Sequence, residues 1–104
     1  MLLDKVINEP DNAKALTQLG YALCEKNLKS AGISAYRKAI MRDPNNLDGH
    51  FCLGVALAEV GEIENAIIEF TQALVLEPSD SESHYALANA YGEKGLLSQA
   101  IEEY

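Results

Sequence analysis

Residues 47–78 read LDGHFCLGVALAEVGEIENAIIEFTQALVLEP, and the organisation of the whole chain follows from this stretch. It is one unit of a pattern that occurs about three times in the 104-residue chain. The three prolines of the sequence, Pro10, Pro44 and Pro78, stand 34 residues apart. A fixed period of this length is typical of proteins built from stacked structural repeats.

Small and aromatic residues keep the same period. A small residue recurs at Gly20, Gly54 and Ala88. A glycine costs about 1 kcal/mol in a helix interior relative to alanine, so its recurrence predicts that a partner helix passes too close for a larger side chain. The aromatic row consists of Tyr36, Phe70 and Tyr104.

Apolar residues within each unit follow a helical pattern. Positions 16, 19, 20 and 23 have the i, i+3, i+4, i+7 spacing of one helix face, and they hold Leu16, Leu19, Gly20 and Leu23. No stretch has the alternation of a strand, so the sequence predicts an all-α fold with two helices in each unit. The buried faces of the first unit's second helix are predicted to hold Ala31, Ile33, Tyr36, Ala39 and Ile40.

Prolines, caps and turn residues predict where the helices begin and end. Pro10 stops the segment before it, and Asp11 or Asn12 suits the N-cap of the helix that follows. Asn27 is a residue that tolerates a left-handed turn, and Gly61 and Gly95 stand at the equivalent positions. The predicted helices cover residues 13–26, 29–42, 47–60, 62–76 and 81–94, with a further one from 96 onward.

The pattern of residues resembles the tetratricopeptide repeat (TPR) family, whose signature is W-x₂-L-G-x₂-Y, A-x₃-F and P at period 34. The matching positions of the middle unit are His50, Leu53, Gly54, Leu57, Ala66, Phe70 and Pro78. The leading Trp is replaced by Leu16, His50 or His84, and Gly32 stands where alanine is usual.

The resemblance implies an all-α, right-handed solenoid of stacked antiparallel helix hairpins, a TPR superhelix, in a single array over residues 1–104. Residues 1–10 would be the tail of a preceding repeat. Residues 13–46 and 47–80 would be two repeats, and residues 81–104 a partial third.

The charge of the chain restricts its partners. The formal net charge is −8, and an acidic surface repels phosphate backbones, so basic protein segments are expected as partners and nucleic acid is not. No run of about 18 apolar residues is present, and Asp4 interrupts the opening residues too early for a signal peptide. We therefore expect no membrane association and a cytoplasmic, intracellular setting.

The sequence contains few signs of catalysis or of a metal or cofactor site. His50 and His84 occupy the same place in successive units, and the simplest interpretation is that they fill a helix-packing position. A metal site needs three or four converging ligands, and no phosphate-binding glycine motif is present. The sequence therefore predicts no enzyme activity, no metal and no cofactor.

The two cysteines, Cys24 and Cys52, are predicted to lie on neighbouring first helices. They are out of register by six residues, which is about 9 Å along the helix axis at about 1.5 Å per residue. A disulfide needs Cα atoms within about 7 Å of each other. We expect two reduced residues in the core or the groove.

In the TPR family the first helix of each repeat lines a concave groove that takes an extended peptide or a partner's helix. Carried onto this chain, the resemblance places there Lys14, Thr17, Tyr21, Glu25, Asp48, Phe51, Val55, Glu59, Glu82, Tyr85, Asn89 and Glu93, with Cys52 and Ala86 beside them. The period aligns the apolar and aromatic ones in rows and makes a column of Glu25, Glu59 and Glu93. A plainer interpretation is that the aromatics pack on neighbours and the glutamates are only solvated.

One familiar TPR ligand fits this sequence poorly. Family members that hold the C-terminal carboxylate of heat-shock chaperones use lysine, asparagine and arginine side chains on three successive first helices. The matching positions here hold Thr17, Tyr21, Cys52, Glu82 and Ala86. None of these residues matches, and Glu82 would repel the carboxylate.

The sequence predicts a protein-interaction scaffold that binds an extended or helical peptide segment, with basic and apolar residues, in its groove. The alternative is a structural unit that self-assembles into homo-oligomers. End-to-end contacts would then form through Leu2, Leu3, Val6, Leu97, Ile101 and Tyr104, which are apolar residues near the two ends. The plainer explanation of those ends is a piece cut from a longer array, which would expose the same apolar residues.

Overall fold

A computed structural model describes residues 12–95 of the chain, and within this range it contains five α-helices and no strand. The helices are α1 (Ala13–Glu25), α2 (Lys29–Arg42), α3 (Leu47–Glu59), α4 (Ile63–Leu76) and α5 (Ser81–Glu93). The five helices predicted within this range are all present, with ends that agree to within one residue, and the helix predicted from residue 96 onward lies outside it. The all-α prediction is confirmed.

The first helix of each unit begins at a side-chain cap. The carboxamide oxygen of Asn12 accepts from the Ala15 backbone N–H at 2.9 Å, and that of Asn46 accepts from the Gly49 N–H at 3.1 Å. A carboxylate oxygen of Asp80 accepts from the Ser83 N–H at 3.2 Å. Each cap satisfies a backbone donor that has no partner inside the helix.

The turns between first and second helices need a left-handed residue. The backbone φ angle is +64° at Asn27, +89° at Gly61 and +80° at Gly95. Asparagine and glycine are the residues that adopt this region at least cost. The structure thereby confirms the turn positions expected from the sequence.

Antiparallel hairpins stack along the chain: α1 packs on α2, α3 on α4, and successive hairpins contact each other through α2–α3 and α4–α5. The continuous core lies between these layers. Its most buried large side chains, Leu53, Leu57 and Phe70, all belong to the middle hairpin. The core cluster continues through Tyr36, Ala56, Ala66, Leu87 and Ala90.

The recurring glycines lie where the paired helix approaches. A Cβ atom built on Gly54 would lie 2.5 Å from the ring of Phe70, and one on Gly20 would lie 2.7 Å from the ring of Tyr36. The close approach predicted from the period is therefore present. The group that fills the space is the aromatic side chain of the second helix.

Two details of the predicted core are wrong. Ala31 is exposed, and its neighbour Gly32 is buried against Cys24 and the Gly20 carbonyl oxygen instead. Leu19 and Leu23 are only half-buried. The helical spacing predicted the correct buried face of each helix, but it assigned to that face residues at its edges that are exposed or only half-buried.

The buried histidine His50, on α3, contacts both α4 and the proline turn that precedes α3. Its Nδ1 lies 2.8 Å from a carboxylate oxygen of Glu69, and its Nε2 lies 2.9 Å from the Pro44 carbonyl oxygen. His84 repeats the second contact with Pro78 at 2.8 Å. The histidines thus hold the proline turns against the helices, which agrees with the packing role expected from the sequence.

Candidate functional site

The first helices α1, α3 and α5 contact one another in sequence and form a surface with two depressions. The depression between α1 and α3, called pocket A here, has a volume of about 210 Å³. The depression between α3 and α5, called pocket B, has a volume of about 240 Å³. Val55 and Glu59 of α3 line both, so one helix forms the wall between them.

The two pockets have an apolar floor and an acidic rim. Pocket A is lined by Tyr21, Cys24, Glu25, Lys29, Tyr36, Phe51, Cys52, Val55, Ala56 and Glu59. Pocket B is lined by Val55, Ala58, Glu59, Phe70, Ala86, Asn89, Ala90 and Glu93. The three glutamates of the predicted column therefore all reach this surface.

Seven of the residues assigned to the groove line pocket A or B. They are Tyr21, Glu25, Phe51, Val55, Glu59, Asn89 and Glu93. Lys14, Thr17 and Asp48 lie together at a separate depression of about 300 Å³, where Asp43 and Asn46 join them. Glu82 and Tyr85 are exposed on α5 and line none of these three depressions.

Two of the assigned side chains have structural contacts. The Thr17 hydroxyl donates to the Ala13 carbonyl oxygen at 2.9 Å and accepts from the Asn46 amide at 3.0 Å. The ring of Phe51 packs on that of Phe70, with centroids 5.8 Å apart. The plainer interpretation, that the aromatic residues pack on neighbours, therefore holds for Phe51.

The exposed aromatic side chains on this surface are tyrosines. The exposed fraction is 58% for Tyr21 and 61% for Tyr85. An exposed aromatic residue costs little conformational entropy to order and offers a large contact area. Of the two, Tyr21 lines pocket A, and Tyr85 lines neither pocket.

Lys29 was missed by the sequence reasoning. It lies at the edge of pocket A, and its ammonium nitrogen is 3.3 Å from a carboxylate oxygen of Glu59. Lys29 is the first residue of α2, so a search restricted to first helices could not find it. Glu59, the middle glutamate of the column, is thus paired with a lysine of the same chain, and Glu25 and Glu93 are exposed on either side of it.

Pocket A also brings together two thiols and a phenol. Cys24, Cys52 and Tyr36 all line this pocket. Burial raises the pKa of each thiol, although Lys29 acts against that rise at Cys24. Burial and the two cysteines raise the pKa of Tyr36 as well. Both cysteines are free and half-buried, as expected.

The helix order and the groove define a helical-repeat protein, and comparison with known families gives the class. Two family models match, one described as "Tetratricopeptide repeat" over residues 13–46 and one as "TPR repeat" over residues 57–95. The chain belongs to the tetratricopeptide repeat family, as the sequence pattern indicated. Tetratricopeptide repeats form a protein-interaction fold, and the chain has the architecture of such a scaffold.

Solved structures have the same fold. A crystal structure of MamA is 24% identical and superimposes with a TM-score of 0.93, covering 99% of this chain and 60% of that one. MamA AMB-1 is 30% identical with a TM-score of 0.86, covering 98% of this chain and 56% of that one. The chain therefore spans less than two thirds of the length of these MamA chains.

A third structure is the second TPR of Spaghetti (RPAP3), bound to the HSP90 peptide SRMEEVD. It is 21% identical, with a TM-score of 0.86, covering 91% of this chain and 89% of that one. No curated protein sequence matches the chain significantly.

Residues 12–95 contain neither a cluster of metal-ligating side chains nor a membrane-spanning helix. No group of three or more histidine, cysteine or acidic side chains converges there in a way that could hold a metal ion. None of the five helices is long and apolar enough to cross a membrane.

Proposed function

We propose that pockets A and B together bind one peptide segment, extended or helical, that carries Lys or Arg beside an apolar side chain. The observation that carries the proposal is the shared architecture of the two pockets. Each has apolar and aromatic side chains at its floor and two glutamates at its rim, with Val55 and Glu59 common to both. A single ligand can therefore contact both pockets across α3.

The apolar floor would supply most of the affinity. A ligand side chain that enters pocket A would bury apolar surface of Val55, Phe51 and the exposed ring of Tyr21. Removing such surface from water stabilises the complex. In protein interfaces a few such apolar or aromatic anchors provide most of the binding free energy. We therefore expect loss of an anchor to raise the dissociation rate.

The acidic rim would select the charge of the ligand. Glu25 and Glu93 are exposed, whereas Glu59 is paired with Lys29. Rim charges of this kind act chiefly on the association rate and are screened by salt. Binding should weaken as ionic strength rises, mainly through slower association.

The peptide held by the RPAP3 domain, SRMEEVD, is an acidic one. The groove of this chain presents carboxylates at its rim, and Glu82 stands on the exposed side of α5. We infer that SRMEEVD does not bind here, because its glutamates and terminal carboxylate would face like charge. The peptide is a ready negative control.

A selection from a random peptide library on the purified protein tests the proposal. The expected result is enrichment of Lys or Arg next to an apolar residue. Tyr21→Ala should lower the affinity for a selected peptide about 5-fold or more, since an anchor residue contributes over about 1 kcal/mol. Glu25→Lys with Glu93→Lys should slow association and reduce its salt dependence.

The matched control is Met41→Ala with Val75→Ala. Both side chains are exposed on second helices and line none of the three depressions. Phe51→Ala is avoided because that ring also packs on Phe70. Enrichment of acidic peptides, or a loss of affinity in the control as large as in Tyr21→Ala, would overturn the proposal.

A further inference from the structure

We propose a more specific ligand for the same site: a segment in the polyproline II conformation, with an apolar side chain in pocket A and a Lys or Arg, three positions along the chain, in pocket B. This ligand rests on the function proposed above. It adds to that function the conformation of the peptide, the spacing of two of its residues and the pocket that each of them enters.

The two pockets differ in charge. Pocket A is lined by Glu25, Glu59 and Lys29, and the ammonium nitrogen of Lys29 is 3.3 Å from a carboxylate oxygen of Glu59. Pocket B is lined by Glu59 and Glu93 and, among residues 12–95, by no lysine or arginine. A cationic ligand group would therefore meet like charge at the edge of pocket A and only carboxylates at pocket B. Charge complementarity places the basic side chain in pocket B.

The apolar linings differ in the opposite sense. Three aromatic side chains, Tyr21, Tyr36 and Phe51, line pocket A, and the ring of Tyr21 is exposed. The described lining of pocket B holds one aromatic ring, that of Phe70, with Val55 and three alanines. A large apolar side chain can bury more aromatic surface in pocket A than in pocket B, which favours pocket A for the apolar anchor.

The spacing of the first helices sets the distance between the two ligand side chains. Helix α3 approaches both α1 and α5 to within 8 Å between Cα atoms, and packed helices have axes about 8–10 Å apart. Pockets A and B lie on the two sides of α3, so about the same distance separates them. In a polyproline II helix, with three residues per turn and about 3.1 Å per residue, positions i and i+3 lie on one face about 9 Å apart.

An extended β-strand fits this surface poorly. Its residues on one face are separated by about 6.6 Å or about 13 Å, and neither value matches the spacing of the pockets. A strand that docks on a protein usually pairs with an open sheet edge. The first helices offer no such edge, since residues 12–95 contain no strand.

An α-helix is the closer rival, because its positions i and i+7 are about 10.5 Å apart. A helix that makes this contact needs about eight residues, whereas isolated helices shorter than about 12–15 residues are marginal in water. Polyproline II has no internal hydrogen bonds and is already a major conformation of unfolded chains. A short segment therefore loses less freedom when it binds in this form, and grooves lined by aromatic side chains are the surfaces that bind it.

Synthetic peptides with blocked ends test the spacing on the purified protein. A proline-rich frame carries one Leu and one Lys, with the Lys two, three or four positions from the Leu, and each peptide is made in both chain directions. In one direction the three-position peptide should bind about 5-fold more tightly than the other two, because only this spacing places both side chains on one face. An alanine-rich helical peptide with the Leu and Lys seven positions apart should bind more weakly.

A double-mutant cycle tests which pocket holds the basic side chain. Replacing the peptide's Lys by norleucine keeps the alkyl chain and removes the charge, and the parent protein should prefer the Lys peptide by about 5-fold. Glu93→Gln should reduce this preference to about 2-fold or less. Glu25→Gln is the matched comparison, since Glu25 holds the equivalent position two repeats earlier and is also exposed. In that variant the preference for Lys should stay near its parent value.

The outcomes separate this ligand from the broader function. Equal binding at all three spacings, tighter binding of the helical peptide, or a preference for Lys that Glu25→Gln removes and Glu93→Gln does not, would overturn the polyproline II ligand and leave the proposed function in place. If no peptide with basic and apolar residues binds, whether synthetic or selected from a library, both are overturned.

Discussion

Gly54 and Gly92 both lie in helices, but their surroundings differ at the scale of a single atom. A Cβ atom on Gly54 would meet the Phe70 ring at 2.5 Å, whereas one on Gly92 would meet nothing within 4 Å. The same substitution therefore has opposite consequences at the two positions. The close approach at Gly54 outweighs the ordinary preference of a helix for alanine.

Gly54→Ala should destabilise the protein by about 1–3 kcal/mol, because the added methyl group overpacks the core against Phe70. Gly92→Ala should stabilise it by up to about 1 kcal/mol, since alanine favours the helix and no atom opposes it. Urea unfolding of both variants measures the difference. Equal shifts in the same direction would show that the Phe70 contact carries no energy.

The thiols should be slow nucleophiles. Burial raises the pKa of Cys24 and of Cys52, so at pH 8 a smaller share of each is thiolate than in a free cysteine. We expect iodoacetamide to alkylate the folded protein more slowly than it alkylates free cysteine at that pH. The rate should continue to climb at pH values where free cysteine has levelled off. Alkylation as fast as that of the free amino acid would contradict this.

Single residues also mark the limit of what the sequence could predict about the site. The period placed Glu25, Glu59 and Glu93 in one column because equivalent residues of a repeat occupy equivalent places. Lys29 and Tyr36 have no such signal, since they belong to second helices and reach pocket A only through the packing of side chains. Contacts between different helices of this kind require the three-dimensional arrangement.

At the scale of the helices, Asn46 does two things at once. Its carboxamide oxygen caps α3 at the Gly49 N–H, and its amide nitrogen donates to the Thr17 hydroxyl of α1 at 3.0 Å. The cap belongs to one helix, and the second bond joins two hairpins. Asn12 and Asp80 cap the equivalent helices.

The two contributions of Asn46 can be separated by substitution. Asn46→Ala should cost about 1–2 kcal/mol, because it removes the cap and the link to Thr17. Asn46→Asp keeps an acceptor for the Gly49 N–H, loses only the donor, and should cost less. Thermal unfolding of both variants checks the order. If aspartate costs as much as alanine, the link to α1 matters more than the cap.

The helices themselves were the most predictable part of the molecule. Caps and left-handed turns are local, so Asn12, Asn27 and Gly61 indicated the helix ends without any tertiary information. How many residues of a helix are buried depends, in contrast, on how closely the neighbouring helices approach, which local sequence does not determine. Ala31 was assigned to the buried face and is exposed, because Gly32 lies where α1 approaches.

For the molecule as a whole, stability rests on the middle hairpin. Leu53 is almost fully buried, and Leu53→Ala should destabilise by roughly 2–5 kcal/mol through lost transfer energy and an unfilled cavity. That is a large share of the stability of a small domain. Met41→Ala, at a side chain that is 74% exposed, should change the melting temperature little. A Leu53→Ala protein that melts within a few degrees of the parent would contradict the assigned core.

Self-association through the ends stays a prediction. The residues assigned to it, Leu2, Leu3, Val6, Leu97, Ile101 and Tyr104, lie outside the residues that the structure describes. If they make head-to-tail contacts, the mass measured by light scattering should grow with concentration, and Ile101→Asp should suppress that growth. A parent protein that is monomeric at the highest concentration reached would rule the contacts out.

The wall shared by pockets A and B belongs to α3, which contacts α1 and α2 on one side and α5 on the other. In a stacked array each unit is held by its neighbours, so local opening is easiest where fewer neighbours contribute. Amide protons of α3 should accordingly exchange with solvent among the slowest in the described helices. A ligand spanning that wall would then rest on the part of the chain that opens most rarely, and its residence time would not be limited by fraying of the surface beneath it.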